Sequence, residues 1–350
     1  MTRLTREEIP VAEHMTLDAF LDQWSAGDAV RGATAATVRA VCDAGRTIAA
    51  LVARGALEEA MGSAVGENAG GDTQKALDVR THDILVEALR GAPVSRLGSE
   101  EAEDVIVLDP AAPVAVAADP LDGSSNIETN VSIGTLFGIL PEAGEETFLQ
   151  PGSRQLAAGF IVYGPATALV LTVGTGTHIF MMDGVGGPFV RTSADVQIPK
   201  TTKEYAINAS NARHWAEPMR AYIADCLAGA DGPREKNFNM RWVGSLVADV
   251  FRILVRGGVY LYPGDAREGY GSGRLRLVYE CNPIAMVCEQ AGGAATDGKT
   301  RILDIVPSRL HARAPLVAGS AEEVERIGRY YGDEARQSSP LFAKRGLFLS

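Results

Sequence analysis

Asp119 and Asp122 stand three residues apart in DPLDGSSN, directly after an apolar run, residues 113 to 118, that reads as a strand. Pro120 is expected to stop that strand and turn the chain, which brings the two carboxylates to one point. Paired carboxylate oxygens are hard ligands that suit Mg²⁺ or Mn²⁺ together with the oxygens of a phosphate. Gly123, Ser124 and Ser125 follow at once, offering backbone N–H groups and hydroxyls at a turn or helix start, a cradle for a dianion. The chemistry this spacing supports is metal-assisted attack on a phosphate ester. In isolation, DG and SS also mark an ordinary turn with a serine cap, so the run has to be weighed with the rest of the chain.

Other residues widen the inventory. Glu100 and Glu101 follow Ser99 in a segment rich in turn formers, and adjacent acids repel unless cations compensate them. Glu103 and Asp104 come soon after, so a solvated acidic loop is the competing reading. RLRLVYE, residues 274 to 280, alternates arginine and leucine. On a strand that places Arg274 and Arg276 on one face, pointing into one cleft as cations for a phosphate; a solvated edge strand is the alternative. The five histidines show no HxH or HExxH spacing, which argues against zinc catalysis. No GxSxG elbow and no GxxxxGKS loop is present. GYGSGR at 269 to 274 precedes a strand and lacks the strand-to-helix context of a dinucleotide fingerprint.

The elements that must position these groups are legible from periodicity. Residues 35 to 60 carry apolar side chains at helical intervals, and residues 74 to 89 form a second amphipathic helix that carries Asp78. Strands are predicted at 104 to 108, 114 to 118, 159 to 163, 168 to 172 and 178 to 182. Beyond Pro199 helices and strands alternate, with helices predicted near 212 to 227, 245 to 256 and 283 to 291, and strands at 259 to 262 and 294 to 296. A domain boundary is therefore placed near residue 200, giving an N-terminal α+β unit (1 to 199), a C-terminal α/β unit (200 to 335) and a tail (336 to 350). With 350 residues, 46% of them hydrophobic, the chain can bury a large core. A net charge of −11 disfavours nucleic acid or an anionic membrane as partner. The N-terminus lacks the apolar stretch of a secretory signal, and residues 157 to 173, broken by Gly164 and Pro165, read as two strands joined by a turn. Four cysteines without CxxC spacing suit reduced thiols, so a cytoplasmic protein is expected.

DPLDGSSN followed by VSIGTLFGI resembles the signature of class I fructose-1,6-bisphosphatases, and further blocks of that family occur in order: GDTQKALD at 71 to 78, SEE at 99 to 101, RWVGSLVADV at 241 to 250, GGVYLYP at 257 to 263 and LRLVYECNPIAMVCEQAGG at 275 to 293. The resemblance runs from about residue 30 to about residue 330. It implies a layered helix-sheet-helix-sheet-helix fold, hydrolysis of fructose 1,6-bisphosphate to fructose 6-phosphate, Mg²⁺ or Mn²⁺ as cofactor and a homotetramer. It further implies that Glu100, Asp119, Asp122, Glu280 and the carbonyl of Leu121 hold the ions, that Asp78 and Glu101 orient or deprotonate the attacking water, and that Asp72 lies in a glycine-rich loop closing over the metals. Asn208, Tyr262, Arg274 and Arg276 would meet the second phosphate, as would Arg241 of a neighbouring subunit. Three positions depart from the pattern: Arg274 replaces a usual lysine, and Asn211 and Trp242 stand where tyrosines often occur. Charge survives at 274, but a fork replaces a point charge. The family's usual AMP-binding features, a TGE-type turn, a Lys-Tyr pair and a later arginine, are here SAGDAVRGAT, Pro113-Val114 and Pro141, so weak or absent AMP inhibition is expected. No cysteine-bearing loop of the thioredoxin-controlled kind is present. Sedoheptulose 1,7-bisphosphate as a second substrate stays open, as do gluconeogenesis and the Calvin cycle as pathways. An inositol-monophosphatase-like enzyme and a catalytically silent sugar-phosphate sensor are the remaining alternatives; SEE, GSSN and YECNP point away from the first, and the intact carboxylate set from the second.

Overall fold

Side-chain caps decide where the first helices begin. Thr16 accepts from Ala19 N at the start of α1 (Leu17–Ser25), and Asp28 accepts from Val30 N and Arg31 N at the start of α2 (Ala29–Arg54). α2 thus begins six residues earlier than the periodicity suggested, because Asp28 captures the orphan N–H groups. The computed structural model describes residues 15–55, 64–67 and 73–332. The end of the helix predicted over 35 to 60, Asp72 and the predicted tail lie outside the described residues, as does most of the glycine-rich loop.

Strands β1 (Ala64–Glu67) and β2 (Thr73–Lys75) pair antiparallel and lead into α3 (Ala76–Arg90), whose first turn is closed by Asp78 accepting from Lys75 N. Eight strands then build one sheet: β3 (Val94–Ser99), β4 (Ile106–Val107), β5 (Val114–Asp122), β6 (Ile133–Pro141), β7 (Ala157–Tyr163), β8 (Thr167–Thr172), β9 (Thr177–Met182) and β10 (Phe189–Ser193), in spatial order β10-β9-β8-β7-β6-β5-β3-β4. Only β3 and β5 are parallel neighbours in it. The stretch 157 to 173 does form two antiparallel strands joined by a turn. Pro120 does not end β5 as expected. The strand runs on to Asp122, and its pairing with β6 shifts register between Asp119 and Asp122, an irregularity that absorbs the missing proline N–H. The strand predicted over 104 to 108 contracts to two residues.

The remaining chain adds β11 (Glu204–Ile207), α4 (Glu217–Leu227), β12 (Asn239–Met240), α5 (Leu246–Arg256), β13 (Val259–Tyr262), β14 (Leu275–Arg276), α6 (Asn282–Gln290), β15 (Ala294–Thr296), β16 (Arg313–Ala314), β17 (Leu316–Gly319) and α7 (Ala321–Gly332). Five of these strands form a second sheet in the order β12-β11-β13-β17-β15. The helix predicted from 212 is divided: a 3-10 turn covers Ala209–His214, and α4 starts only at Glu217, with Pro218 in its first turn where a missing N–H costs nothing. The strand predicted over 274 to 280 is also corrected. Only two residues pair, and a π-helical turn, Leu277–Cys281, carries the chain into α6. There the Glu280 carboxylate accepts the Arg276 N–H at 2.5 Å, a bond within the turn that an extended strand could not make.

Side-chain alternation explains the layers. On one face of the large sheet, Val114, Val116, Ala118, Phe137 and Ile161 pack against Leu21, Val38, Val41, Ile48 and Leu85 of α1, α2 and α3. On the other, Leu136, Phe160, Val162 and Val170 meet α5, α6 and the inner face of the second sheet, including Tyr260, Leu316 and Ala318. The outer face of that sheet, with Val259, Leu261, Tyr205 and Ile207, is covered by Met219 and Tyr222 of α4 and Ile327 of α7. Within β13 alone, Val259 and Leu261 face outward while Tyr260 faces the middle layer, the period of two expected of a strand buried on both sides. The architecture is helix, sheet, helix, sheet, helix, as anticipated.

Candidate active site

The carboxylates collect where β3 and β5 end. These two strands run parallel with Ser99 beside Ala118, and Glu100 N donates to Ala118 O at 3.1 Å, so Glu100 and Asp119 emerge side by side. Glu280 arrives from the π-helical turn before α6. One oxygen from each of Glu100, Asp119 and Glu280 lies within 4.8 Å of the other two. Burial, then the neighbouring acids, push Asp119 and Glu280 well above the usual carboxylate range, with Glu100 the largest charge acting on both. Arg276, 1% exposed, brings its Nη2 to 3.5 Å from Glu100 Oε1. One guanidinium against three convergent carboxylates leaves a net negative pocket of oxygen donors, and this donor set fits a divalent cation.

Asp122 is adjacent but differently engaged. Its Oδ2 accepts from Val247 N at 3.1 Å and Ser245 Oγ at 3.3 Å, at the N-terminus of α5. Burial raises it to about 6 in spite of these bonds. Its charge reaches both Asp119 and Glu280, so it borders the triad without belonging to it. Leu121 N donates to Asp119 Oδ1 at 2.9 Å, which fixes that carboxylate. Gly123, at φ +80, turns the chain into a 3-10 helix, Ser124–Thr129, and Asn126 Nδ2 ties this turn to Gly244 O just before α5. Sequence reasoning missed two contributors here. Lys75 Nζ donates to Ser124 O at 3.1 Å, and Ser245 braces Asp122; a lysine in GDTQKALD and a serine capping a helix carry no signal of their own.

Asp78, on α3, is 2% exposed and raised to about 6 by burial. Its Oδ2 accepts from Lys75 N at 2.7 Å, whereas its Oδ1 is buried with no hydrogen-bond partner among the described residues. An oriented carboxylate with one idle buried oxygen has room for a water-borne proton. Glu101 N donates to Ser99 Oγ, which in turn meets His82 Nδ1 at 2.9 Å, so the acidic turn is held from α3. The charge of Glu101 reaches Asp119.

A second cluster lies along β11 and β13. Asn208, Asn211, Tyr262 and Arg274, with Trp215 and Asp265, line one recess. Asn208 Oδ1 accepts from Ser210 N and Oγ, which orients the amide and leaves its Nδ2 donors as what it can offer an anion. Trp242 stacks on Tyr260 with ring centroids 5.7 Å apart and tilts toward Tyr262 at 6.2 Å. Arg274 lines this recess, while Arg276, on β14 just before the π-helical turn, reaches Glu100 in the carboxylate cluster. Arg241 projects outward, its side chain 52% exposed and its Nε 4.0 Å from Glu204 Oε1.

Comparison with known proteins bears directly on this geometry. The fructose-1-6-bisphosphatase N-terminal domain model matches residues 15–194, and the fructose-1-6-bisphosphatase C-terminal domain model matches residues 198–332. The chain belongs to the class 1 fructose-1,6-bisphosphatase family. It is 61% identical over 325 residues to a protein named fructose-1,6-bisphosphatase class 1 from Azorhizobium caulinodans, spanning 91% of this chain and 99% of that relative. To the protein of the same name from Rhizobium meliloti it is 53% identical, spanning 95% and 98%. A crystal structure of Leishmania major fructose-1,6-bisphosphatase in holo form superposes with a TM-score of 0.85 at 32% identity, over 92% of this chain and all of that one. Divalent metal use goes with the family, and the Glu100, Asp119 and Glu280 triad is where this fold can hold an ion. Among the described residues no helix is long and apolar enough to cross a membrane. All four cysteines are buried and free.

Proposed function

We infer that this chain is a phosphoric monoester hydrolase that converts D-fructose 1,6-bisphosphate to D-fructose 6-phosphate and phosphate. The observation that carries the reading is the convergence of Glu100, Asp119 and Glu280 within 4.8 Å, beside the Gly123–Ser125 turn, in a member of this family. Glu100, Asp119, Asp122, Glu280 and the Leu121 carbonyl would hold Mg²⁺, with Mn²⁺ as a substitute. Bound there, the ion supplies Lewis-acid polarisation of the 1-phosphoryl group and offsets charge on the departing oxygen. Asp78 and Glu101 orient and deprotonate the attacking water. The N–H groups of the Gly123 turn and the Ser124 and Ser125 hydroxyls hold the 1-phosphate. Asn208, Tyr262 and Arg274 hold the 6-phosphate, joined by Arg241 of a neighbouring subunit in a homotetramer, and Arg276 serves the site from its carboxylate side. Asp72 is assigned to the closing loop. The N-terminal unit, 1 to 199, supplies the metal and 1-phosphate motif, and the C-terminal unit, 200 to 335, the sugar and 6-phosphate groups. The enzyme acts in the cytoplasm, in gluconeogenesis or the Calvin cycle. Steady-state phosphate release from fructose 1,6-bisphosphate and sedoheptulose 1,7-bisphosphate, with and without Mg²⁺, tests the assignment; absence of metal-dependent release from either sugar would overturn it.

A further inference from the structure

The loop between β13 and β14 holds a tyrosine against two arginines. Arg267 Cζ lies 4.1 Å and Arg274 Cζ 4.8 Å from the Tyr270 ring centroid, and Arg274 Nη1 donates to Tyr270 Oη at 2.5 Å. Arg267 is itself locked, its Nε donating to Asp265 Oδ1 at 3.0 Å and its Nη2 paired with Asp265 Oδ2. The backbone fixes the ring as well: Tyr270 O accepts from both Asp265 N and Gly273 N, and Tyr270 N donates to Arg267 O. Gly273, at φ +78, has the Pro315 nitrogen 2.5 Å from where a Cβ would sit, so the loop closes tightly before Arg274.

We propose that Tyr270 is a positioning residue for the terminal phosphate of the sugar bisphosphate, acting through Arg274; this rests on the reading of the Asn208, Tyr262 and Arg274 recess as the 6-phosphate pocket. Arginine is a fork whose value depends on orientation, unlike the point charge of a lysine. Its long side chain loses rotamer freedom when it binds an anion, and a hydroxyl and a ring face that hold it beforehand lower that cost. Asp265 keeps Arg267 on the ring, so the second guanidinium braces Tyr270 instead of competing for the phosphate. The Arg267, Tyr270 and Arg274 stack is thus a preorganised arm that makes a fork usable at this position.

The test uses the full-length, metal-loaded enzyme, with KM and kcat for fructose 1,6-bisphosphate and calorimetric affinity for fructose 6-phosphate, which carries only the terminal phosphate. Arg274→Ala should weaken fructose 6-phosphate at least tenfold. Tyr270→Ala should raise KM and weaken fructose 6-phosphate by about tenfold, with kcat within about twofold. Tyr270→Phe, which keeps the ring and tests the same point should the alanine variant fail to fold, should lose about threefold. In the Arg274→Ala background neither change at 270 should weaken binding further. If Arg274→Ala weakens binding but substitution of Tyr270 does not, or if the two losses add in full, the positioning role is wrong and the pocket assignment stands. If Arg274→Ala leaves fructose 6-phosphate affinity unchanged, the pocket assignment fails and the proposal falls with it.

Discussion

Glu280→Gln should stabilise the metal-free protein while disabling it. Glu280 shares its site with Glu100 and Asp119 oxygens at no more than 4.8 Å. At an effective dielectric of about 20, two unit charges at that separation repel by about 3.5 kcal/mol. Arg276 cancels part of this for Glu100, and proton uptake by the raised acids caps the rest, so the net relief is on the order of 1–2 kcal/mol. Glutamine keeps an oxygen that can accept the Arg276 N–H, so that donor is not orphaned. A differential scanning measurement in EDTA should show Tm rising by about 1–3 °C. Mg²⁺ at 100 times its dissociation constant stabilises a native protein by about 2.7 kcal/mol, and a hundredfold weaker site retains about 0.4 kcal/mol of that. The Mg²⁺-induced increment in Tm should therefore nearly vanish, and kcat/KM should fall at least about a hundredfold. A variant whose metal-free Tm drops while its Mg²⁺ increment stays whole would show that the three carboxylates do not form a repulsive, metal-holding unit.

Burial raises Asp78 to about 6, so if its ionised form is the base, kcat/KM falls as pH drops through about 6; Asp78→Asn should lower turnover about 10²–10⁴-fold and erase that limb, and an unchanged pH profile in the variant would remove Asp78 from the chemistry. The raised values of Asp78, Asp122 and Asp249 also mean that the folded chain binds these protons more tightly than the unfolded one. Their contribution to stability in the absence of metal therefore declines as pH rises from about 4 through 6, which Tm against pH in EDTA would reveal as a flatter profile for Asp78→Asn. Arg241→Ala should raise KM through loss of a charge-assisted contact of about 1.5–3 kcal/mol with little loss of kcat. Mixing it with an Asp122→Ala chain should return KM toward that of the natural chain, and verified mixed oligomers whose KM stays raised would place the whole site in one subunit. AMP at low micromolar concentration should leave the rate unchanged, and inhibition there would mean that the segment at 25 to 34 binds it without the expected cations.

What could be read from the chain depended on whether local pattern or tertiary contact set each position. DPLDGSSN stood out because charge and turn residues interrupt an apolar strand, and the long helices and the strands β7, β8 and β9 were visible because each buries a regular face. The split at Pro218 and the start of α2 at Asp28 were set by single residues that override a longer periodicity. The alternation at 274 to 277 describes a strand only as far as Arg276; from Leu277 the chain turns into a π-helix, in which the Glu280 carboxylate accepts the Arg276 N–H, and no local pattern marked that change. Likewise, nothing local to Asp122 could show that its oxygen rests on the first turn of a helix more than a hundred residues later. Asp119, Glu100 and Glu280 meet only because β3 and β5 run parallel and the turn into α6 reaches across them, so these acids could be named from the sequence as candidates while their convergence could not be read from it.

The central claim is most directly tested by phosphate release from fructose 1,6-bisphosphate, followed across a Mg²⁺ titration for the natural chain and for Asp122→Ala. The natural chain should release one phosphate per sugar, only with Mg²⁺ and not in EDTA, and Asp122→Ala should be inactive at saturating Mg²⁺ while still unfolding cooperatively, at a somewhat lower temperature because Val247 N–H loses its acceptor. Release that ignores EDTA, or near-normal turnover by a folded Asp122→Ala protein, would contradict a metal-assisted phosphatase built on this carboxylate cluster.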